Sequence, residues 1–259
     1  MSDLRPAYQD DAVTVYHCGH AELAAHLAGT KVDALIVDAP YSERTHGAYR
    51  EMAEVGRQAI GYAAWTADDV TAFVAAWSGL VRGWVVSLTD HVLMREWETA
   101  LAASFRYVFA PLACMEPGSR VRLSGDGPCQ WSVQAVVARP RSREFAAWGA
   151  LPGGYVVPHS EGWRGQDGRG GWMGGKPVWL IRALVRDYSR PGDLIVDPCC
   201  GAGTLGVAVR YEGRRAILAD KDPAAVECTI KRLRGERTKA VRDDFPESPS
   251  QPSLFGRTA

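Results

Sequence analysis

The stretch Leu194-Ile195-Val196-Asp197-Pro198-Cys199-Cys200-Gly201-Ala202-Gly203-Thr204 decides the fold. Three apolar residues end in an acid, a glycine-rich turn follows, and Thr204 to Tyr211 reads as a helix. Strand, tight turn and helix in that order open a βαβ unit. Gly201 and Gly203 let the backbone turn sharply and approach a ligand with no Cβ in the way. The next strand, Arg215 to Ala219, runs into Asp220. A carboxylate at the tip of that neighbouring strand is placed to accept hydrogen bonds from two ribose hydroxyls. Gly201-x-Gly203-x-x-Gly206 also satisfies the dinucleotide fingerprint. Both readings put an adenosine-bearing ligand at this strand edge.

Outward from the turn, strands and helices alternate. Val178 to Tyr188 is an amphipathic helix stopped by Pro191-Gly192, Asp193 to Asp197 a strand, and Pro223 to Leu233 a helix. Toward the N-terminus, Val13 to Tyr16 reads as a strand, Ala21 to Leu27 as a helix, and Asp33 to Asp38 as a buried strand. Thr66 is the expected N-cap of a helix with Asp68 and Asp69 in its first turn, running to about Val81. Gly83 opens the strand Trp84 to Leu88; Arg95 to Ala103 is helical, and Phe105 to Phe109 and Trp131 to Ala138 are strands. The pattern predicts an α/β chain with a Rossmann-like, mostly parallel sheet covered on both faces.

Hydrophobic residues at 46% and charged residues at 23% exclude wholesale disorder. No apolar run approaches the roughly 18 residues of a membrane span. Met1 to Asp11 is charged and lacks the apolar stretch of a secretory signal. The six cysteines form no zinc-type C-x-x-C pair. A reducing cytoplasm is the expected setting. The net charge of zero hides an asymmetry: residues 139–190 carry 9 Lys/Arg against 4 Asp/Glu, whereas residues 1–138 carry 10 against 16. A basic middle segment is either a solvated loop or a surface for a phosphate backbone. It overlaps 140–175, rich in Gly, Arg, Pro and Trp and expected to be a loop-rich insertion. The domain reading is a first half at 1–139, the insertion at 140–175, a second half with the glycine-rich turn at 176–241 and a polar, disordered tail at 242–259.

The buried strand at 33–38 ends in Asp38-Ala39-Pro40-Tyr41. Pro40 stiffens the turn and removes a backbone donor. The Asp38 carboxylate and a neighbouring carbonyl then form two acceptors able to grip the two hydrogens of an exocyclic amino group. Tyr41 offers a ring face to a planar base. The bland alternative is that Asp38 caps a helix and Tyr41 packs in the core.

Asp38-Ala39-Pro40-Tyr41 resembles the Asp-Pro-Pro-Tyr motif of the DNA amino-methyltransferases. Asp197-Pro198-Cys199-Cys200-Gly201-Ala202-Gly203-Thr204 resembles their Asp-Pro-Phe-x-Gly-Ser-Gly-Thr motif for S-adenosylmethionine. Lys176-Pro177 resembles their Lys-Pro element lining the methionine end of that cofactor. Catalytic motif, insertion, Lys-Pro and cofactor motif follow in the order of the β group. The resemblance implies a seven-stranded sheet with one antiparallel strand and S-adenosyl-L-methionine as cofactor. It further implies cofactor contacts from Lys176, Asp197, Pro198, Cys199, Gly201, Gly203, Thr204 and Asp220. The implied catalytic residues are Asp38, Ala39, Pro40 and Tyr41, so the resemblance implies that the first half, 1–139, is catalytic. This sequence departs from the pattern at Ala39, where the family has Pro, and at Cys199, where it has Phe. Tyr16-His17-Cys18-Gly19-His20 lacks the early Gly-Asp that faces the cofactor adenine; His20 is either a substitute or a surface histidine.

The implied reaction is methyl transfer to the N6 amino group of an adenine flipped out of double-stranded DNA. Cytosine N4 is the first alternative; RNA as acceptor and a non-catalytic DNA-binding module are others. Arg44, in the segment after Tyr41, and Arg139, Arg141, Arg143, Arg164 and Arg169 are the candidate nucleic-acid contacts. The tryptophans of the insertion, Trp148, Trp163 and Trp172, read as packing ahead of base wedges. Pro128-Cys129-Gln130 matches the Pro-Cys-Gln of cytosine-C5 enzymes, but the motif order of that family is absent. Gln251-Pro252-Ser253-Leu254-Phe255 resembles the short peptide that docks bacterial replication proteins on the sliding clamp, through Gln251, Leu254 and Phe255. Homodimer formation stays open.

Overall fold

The computed structural model describes residues 4–47, 62–118, 127–157 and 174–235. Among them, ten strands form a single sheet. In chain order the elements are β1 (Tyr8–Gln9), β2 (Val13–His17), α1 (His20–His26), β3 (Ala34–Asp38), α2 (Ala67–Trp77), β4 (Val85–Thr89) and α3 (Met94–Ala103). Then come β5 (Tyr107–Val108), β6 (Leu112–Met115), β7 (Ser132–Arg139), α4 (Arg143–Ala146), β8 (Gly154–Val156) and α5 (Val178–Tyr188). The last are β9 (Leu194–Asp197), α6 (Thr204–Glu212), β10 (Arg215–Asp220) and α7 (Pro223–Leu233).

The spatial order is β1-β2-β10-β9-β3-β4-β7-β6-β8, with β5 on β7. Strands β2, β10, β9, β3 and β4 are mutually parallel. β7 opposes β4, and β6 opposes β7. The run from β2 to β6 is therefore the expected sheet of seven with one reversed strand, extended by the short β1, β5 and β8.

β3 shows why the sequence folds this way. Ala34, Leu35, Ile36 and Val37 are all buried, as a strand flanked by strands and covered on both faces must be. Successive side chains alternate between faces. Ala34 and Ile36 join the cluster with Leu180, Ile181 and Leu184 of α5. Leu35 and Val37 join the one with Phe73 and Trp77 of α2 and Trp97 of α3.

Helix ends follow local chemistry. Thr66 caps α2 in a reciprocal capping box with Asp69. Asp222 caps α7 by accepting from the Ala224 N–H, with Pro223 in its first turn. Helix α2 stops at Trp77, short of the expected Val81, because Val81 bridges to Val32 and the Arg82 N–H donates to the Val32 carbonyl. The strand expected at Phe105 shrinks to Tyr107–Val108: Phe105 has φ +63° and an exposed side chain.

The described part of 140–175 belongs to the main body. β8 pairs in parallel with β6, and Phe145, Trp148 and Leu151 pack against the core. Trp148 stacks on Phe145 and donates its indole N–H to the Asp187 carbonyl at 2.9 Å, so it packs as expected. No described helix is long and apolar enough to cross a membrane.

Candidate active site

The parallel strands end together on one edge. Asp38 closes β3, Asp197 closes β9 and Asp220 closes β10. Chain order reverses between β9 and β3, the switch point where open α/β sheets bind ligands. A cleft opens there, lined by Asp38, Pro40, Lys176, Asp197, Pro198 and Asp220 among others. Segments far apart in sequence thus meet through sheet pairing.

On the β10 side, the Asp220 carboxylate accepts the Gly201 N–H and the Asp222 N–H, each at 2.9 Å. These bonds fix it at the glycine-rich turn with lone pairs left over. Burial raises its pKa against the lowering pull of the two N–H groups. Asp197 is only 6% exposed and accepts from the Cys199 N–H at 3.1 Å. Burial, and then the nearby Asp38 and Asp220 charges, push its carboxyl well above the usual range. Among the described residues no cation pairs with it. A buried acid without a counter-ion, beside the apolar Ile181, Leu205 and Ala225, fits a ligand carrying an ammonium group.

On the β3 side, Tyr41 Oη donates to Asp38 Oδ1 at 3.0 Å. Lys176 Nζ donates to Asp38 Oδ2 at 2.7 Å and to the Gly174 carbonyl at 3.0 Å. The same ammonium lies 4.8 Å from the Tyr41 ring centre. The structure therefore gathers Asp38, Tyr41 and Lys176 into one cluster. Lys176 sits at the β3 end of the cleft, where it engages Asp38 directly.

Of the expected cofactor residues, Lys176, Asp197, Pro198, Cys199, Gly201, Thr204 and Asp220 line the cleft, and Gly203 does not. Gly203 has φ +70°, and a Cβ there would lie 2.5 Å from Thr229 Cγ2 on α7. Its glycine serves a left-handed turn packed on a helix, a requirement separate from the ligand clearance expected from the sequence. His20 is no surface histidine: it lines the cleft, and its ring packs on Trp65 and Phe73. Burial lowers its pKa. Cys129 is not among the lining residues.

The arginines separate into two groups. Arg44 is exposed on a helical turn at 43–47, shortly after Asp38-Ala39-Pro40-Tyr41. Arg139 lies at the opposite edge of the sheet: β7 runs antiparallel with Ala138 beside Val85, the first residue of β4. Arg139 and Arg141 stand over the Tyr107 ring there, and Arg143 opens α4, whose Phe145 would meet a Cβ at Gly83. Arg139, Arg141 and Arg143, expected as nucleic-acid contacts, thus lie at the sheet edge opposite the cleft, where β7 carries them. Arg164, Arg169, Trp163, Trp172, Gln251, Leu254 and Phe255 lie outside the described residues.

The sequence reading passed over Trp65, Tyr62, Lys221 and Asp222, which also line the cleft, and Asp90, just after β4. Asp90 was detectable as a further acid at the end of a buried parallel strand, like Asp38, Asp197 and Asp220.

The fold and cleft define a Rossmann-like α/β protein with a ligand cleft at the switch point of its sheet. The resemblance to the DNA amino-methyltransferases is borne out by the comparisons with known proteins. A sequence model of the DNA methylase family matches residues 150–232. The type II methyltransferase M.Cfr9I of Citrobacter freundii is 36% identical over 66 residues, 26% of this chain and 22% of that protein. The ribosomal RNA small subunit methyltransferase H of Anaeromyxobacter sp. (strain K) is 34% identical over 86 residues, 32% of this chain and 28% of that protein. The chain thus matches only 22% to 28% of the length of these relatives. In three dimensions the likeness is wider. The M1.HpyAVI–SAM complex superposes with a TM-score of 0.64 at 16% identity, over 85% of this chain and 98% of that one. The cytosine-N4-specific PvuII DNA methyltransferase gives 0.63 at 14% identity, over 89% of each chain.

Proposed function

We propose that this protein transfers a methyl group from S-adenosyl-L-methionine to the exocyclic amino nitrogen of a flipped base in double-stranded DNA, with adenine N6 as the acceptor. The observation that carries the reading is the meeting of Asp38 and Pro40 with the Gly201–Asp220 turn in one cleft, with the Tyr41 hydroxyl bonded to Asp38. Supporting it are the DNA methylase match and the neighbour solved as a SAM complex.

The residues fit the cofactor. Asp220 would hold the ribose hydroxyls, Asp197 the amino group, and Ile181, Leu205 and Ala225 the apolar parts. Bound there, S-adenosylmethionine supplies an electrophilic methyl group on a good leaving group. The chain's own task is to present the nucleophile. An amino group on a base shares its lone pair with the ring and attacks poorly. Asp38 and the Ala39 carbonyl, accepting its two hydrogens, favour a tetrahedral nitrogen and stabilise the positive charge that grows on it. Tyr41 stacks the base, so most of the catalysis is positioning. Lys176 now occupies the Asp38 oxygen that the amino group needs, so it shifts as the base enters. Arg44, exposed on the turn at 43–47, would meet a DNA phosphate. Docking of the tail on a sliding clamp through Gln251, Leu254 and Phe255 is part of the proposal; clamp binding unchanged by deletion of 250–259 would reject it.

The test is methylation of unmethylated DNA by the protein and by Asp38→Ala, followed by digestion to nucleosides and mass spectrometry. N6-methyladenine made only by the unsubstituted protein is the expected result. N4-methylcytosine would keep the mechanism and overturn the base, the outcome favoured by the PvuII likeness. Methylation of RNA alone, favoured by the ribosomal RNA methyltransferase relative, would overturn the substrate.

A further inference from the structure

One buried carboxylate outside the cleft wall holds the segment after the catalytic motif. Asp90 follows β4 and is 8% exposed. Its Oδ2 accepts the Ser42 N–H at 3.0 Å, the Ser42 hydroxyl at 2.5 Å and the Thr45 hydroxyl at 2.6 Å. Its Oδ1 accepts the Val92 N–H at 3.1 Å and the Leu93 N–H at 3.0 Å, at the start of α3. Two oxygens thus take five hydrogen bonds from two separate segments. Burial alone would raise the Asp90 pKa; the bonds from Ser42, Thr45 and Leu93 outweigh it, and the carboxyl sits below its ordinary value.

The geometry matters because of what lies next to Ser42. The Tyr41 carbonyl accepts the Trp65 N–H at 3.0 Å while the Ser42 N–H donates to Asp90, so both polar groups of the peptide unit that follows Tyr41 are held. The Tyr41 ring then reaches Asp38. Ser42 is also the start of the helical turn 43–47, its carbonyl accepting the Thr45 and His46 N–H groups at 3.0 and 3.1 Å. That turn carries Arg44. We infer that Asp90 is a positioning residue for the reaction: through Ser42 and Thr45 it clamps the turn to β4 and so sets Tyr41 against Asp38. The inference rests on the methyl-transfer reading above, but its structural half does not.

The two oxygens separate the roles. Ser42→Ala/Thr45→Val removes the two hydroxyl bonds to Oδ2 and leaves the bonds to Val92 and Leu93, so the start of α3 stays capped. Asp90→Asn retains the shape and must turn an NH₂ group toward donors on one side or the other. Amide hydrogen exchange is read over 39–47 and over α5, with turnover and cofactor KM measured in parallel. The double variant is expected to speed exchange in 39–47 about tenfold, with α5 unchanged, and to lower kcat about tenfold at constant cofactor KM, as a loss of orientation does. Asp90→Asn should do the same, and adding it to the double variant should cost little more. Unchanged exchange in 39–47 overturns the clamp. Faster exchange there with kcat within twofold overturns its catalytic role. If the unsubstituted protein methylates nothing, the function proposed above fails, and the exchange data still decide whether Asp90 sets this segment.

Discussion

Gly203→Ala tests the contact between the glycine-rich turn and Thr229 of α7. Gly203 sits at φ +70°, and an added Cβ would lie 2.5 Å from Thr229 Cγ2, 2.8 Å from Oγ1 and 3.0 Å from Cβ. Thr229 cannot retreat: it is fully buried, β-branched on α7, and its hydroxyl donates to the Gly201 carbonyl at 2.8 Å. Two costs follow. The left-handed backbone costs an alanine about 1–2 kcal/mol, and overpacking a close-fitted site costs about 1–3 kcal/mol. The loss of about 2–5 kcal/mol corresponds to a drop in Tm of roughly 5–15 °C for a domain of this size. Urea unfolding of Gly203→Ala, Thr229→Ala and the double variant measures it. Thr229→Ala removes the two nearer atoms, so the pair should show a favourable coupling of about 1–3 kcal/mol. A Gly203→Ala loss below about 1 kcal/mol, or strict additivity with Thr229→Ala, would refute the packing argument. Because Gly203 does not line the cleft, the folded variant should keep the cofactor affinity of the unsubstituted protein.

Other expectations can be checked with the same preparations. Asp197→Asn should stabilise the protein near neutral pH while weakening S-adenosylmethionine binding by about tenfold or more, since a hydrogen-bonded charge is lost. The sign follows from the raised pKa of Asp197: above the ordinary carboxylate range, folding the unsubstituted chain demands proton uptake or a buried charge. The stability gap should therefore close as pH falls through the ordinary value of 3.8; a gap independent of pH would remove the argument. Thr66→Ala deletes the α2 cap and should cost about 1 kcal/mol in thermal unfolding, with cofactor binding untouched.

Local chemistry made much of this protein legible. Val178–Tyr188 and Pro223–Leu233 were readable to the residue, because Pro191-Gly192 and Asp222-Pro223 punctuate them. Asp38 to Tyr41 and Asp197 to Thr204 were readable because a strand tip followed by a turn is written in consecutive residues. What depends on pairing was not. β8 is three residues, Gly154-Tyr155-Val156, too short to carry a period, and only β6 makes it a strand. The direction of β7 is absent from its composition, and that direction alone removes Arg139, Arg141 and Arg143 from the cleft. Lys176 was read with the cofactor; its bond to Asp38 spans 138 residues of chain. The role of Asp90 likewise needs partners from another strand's loop.

The position of β3 also governs when this molecule can come into being. Its Ala34 and Leu35 pair with Ile195 and Val196 on one side, while β4 covers the other. A ribosome delivers β4 soon after β3 but β9 only much later. A nascent chain that has reached β8 therefore carries its most apolar strand with one edge bare, the arrangement that invites pairing with a stranger. The neighbouring strand that closes this edge also brings Asp197. Protection from aggregation and completion of the cleft are thus a single late event in biogenesis, and a chain cut before Leu194 loses both together.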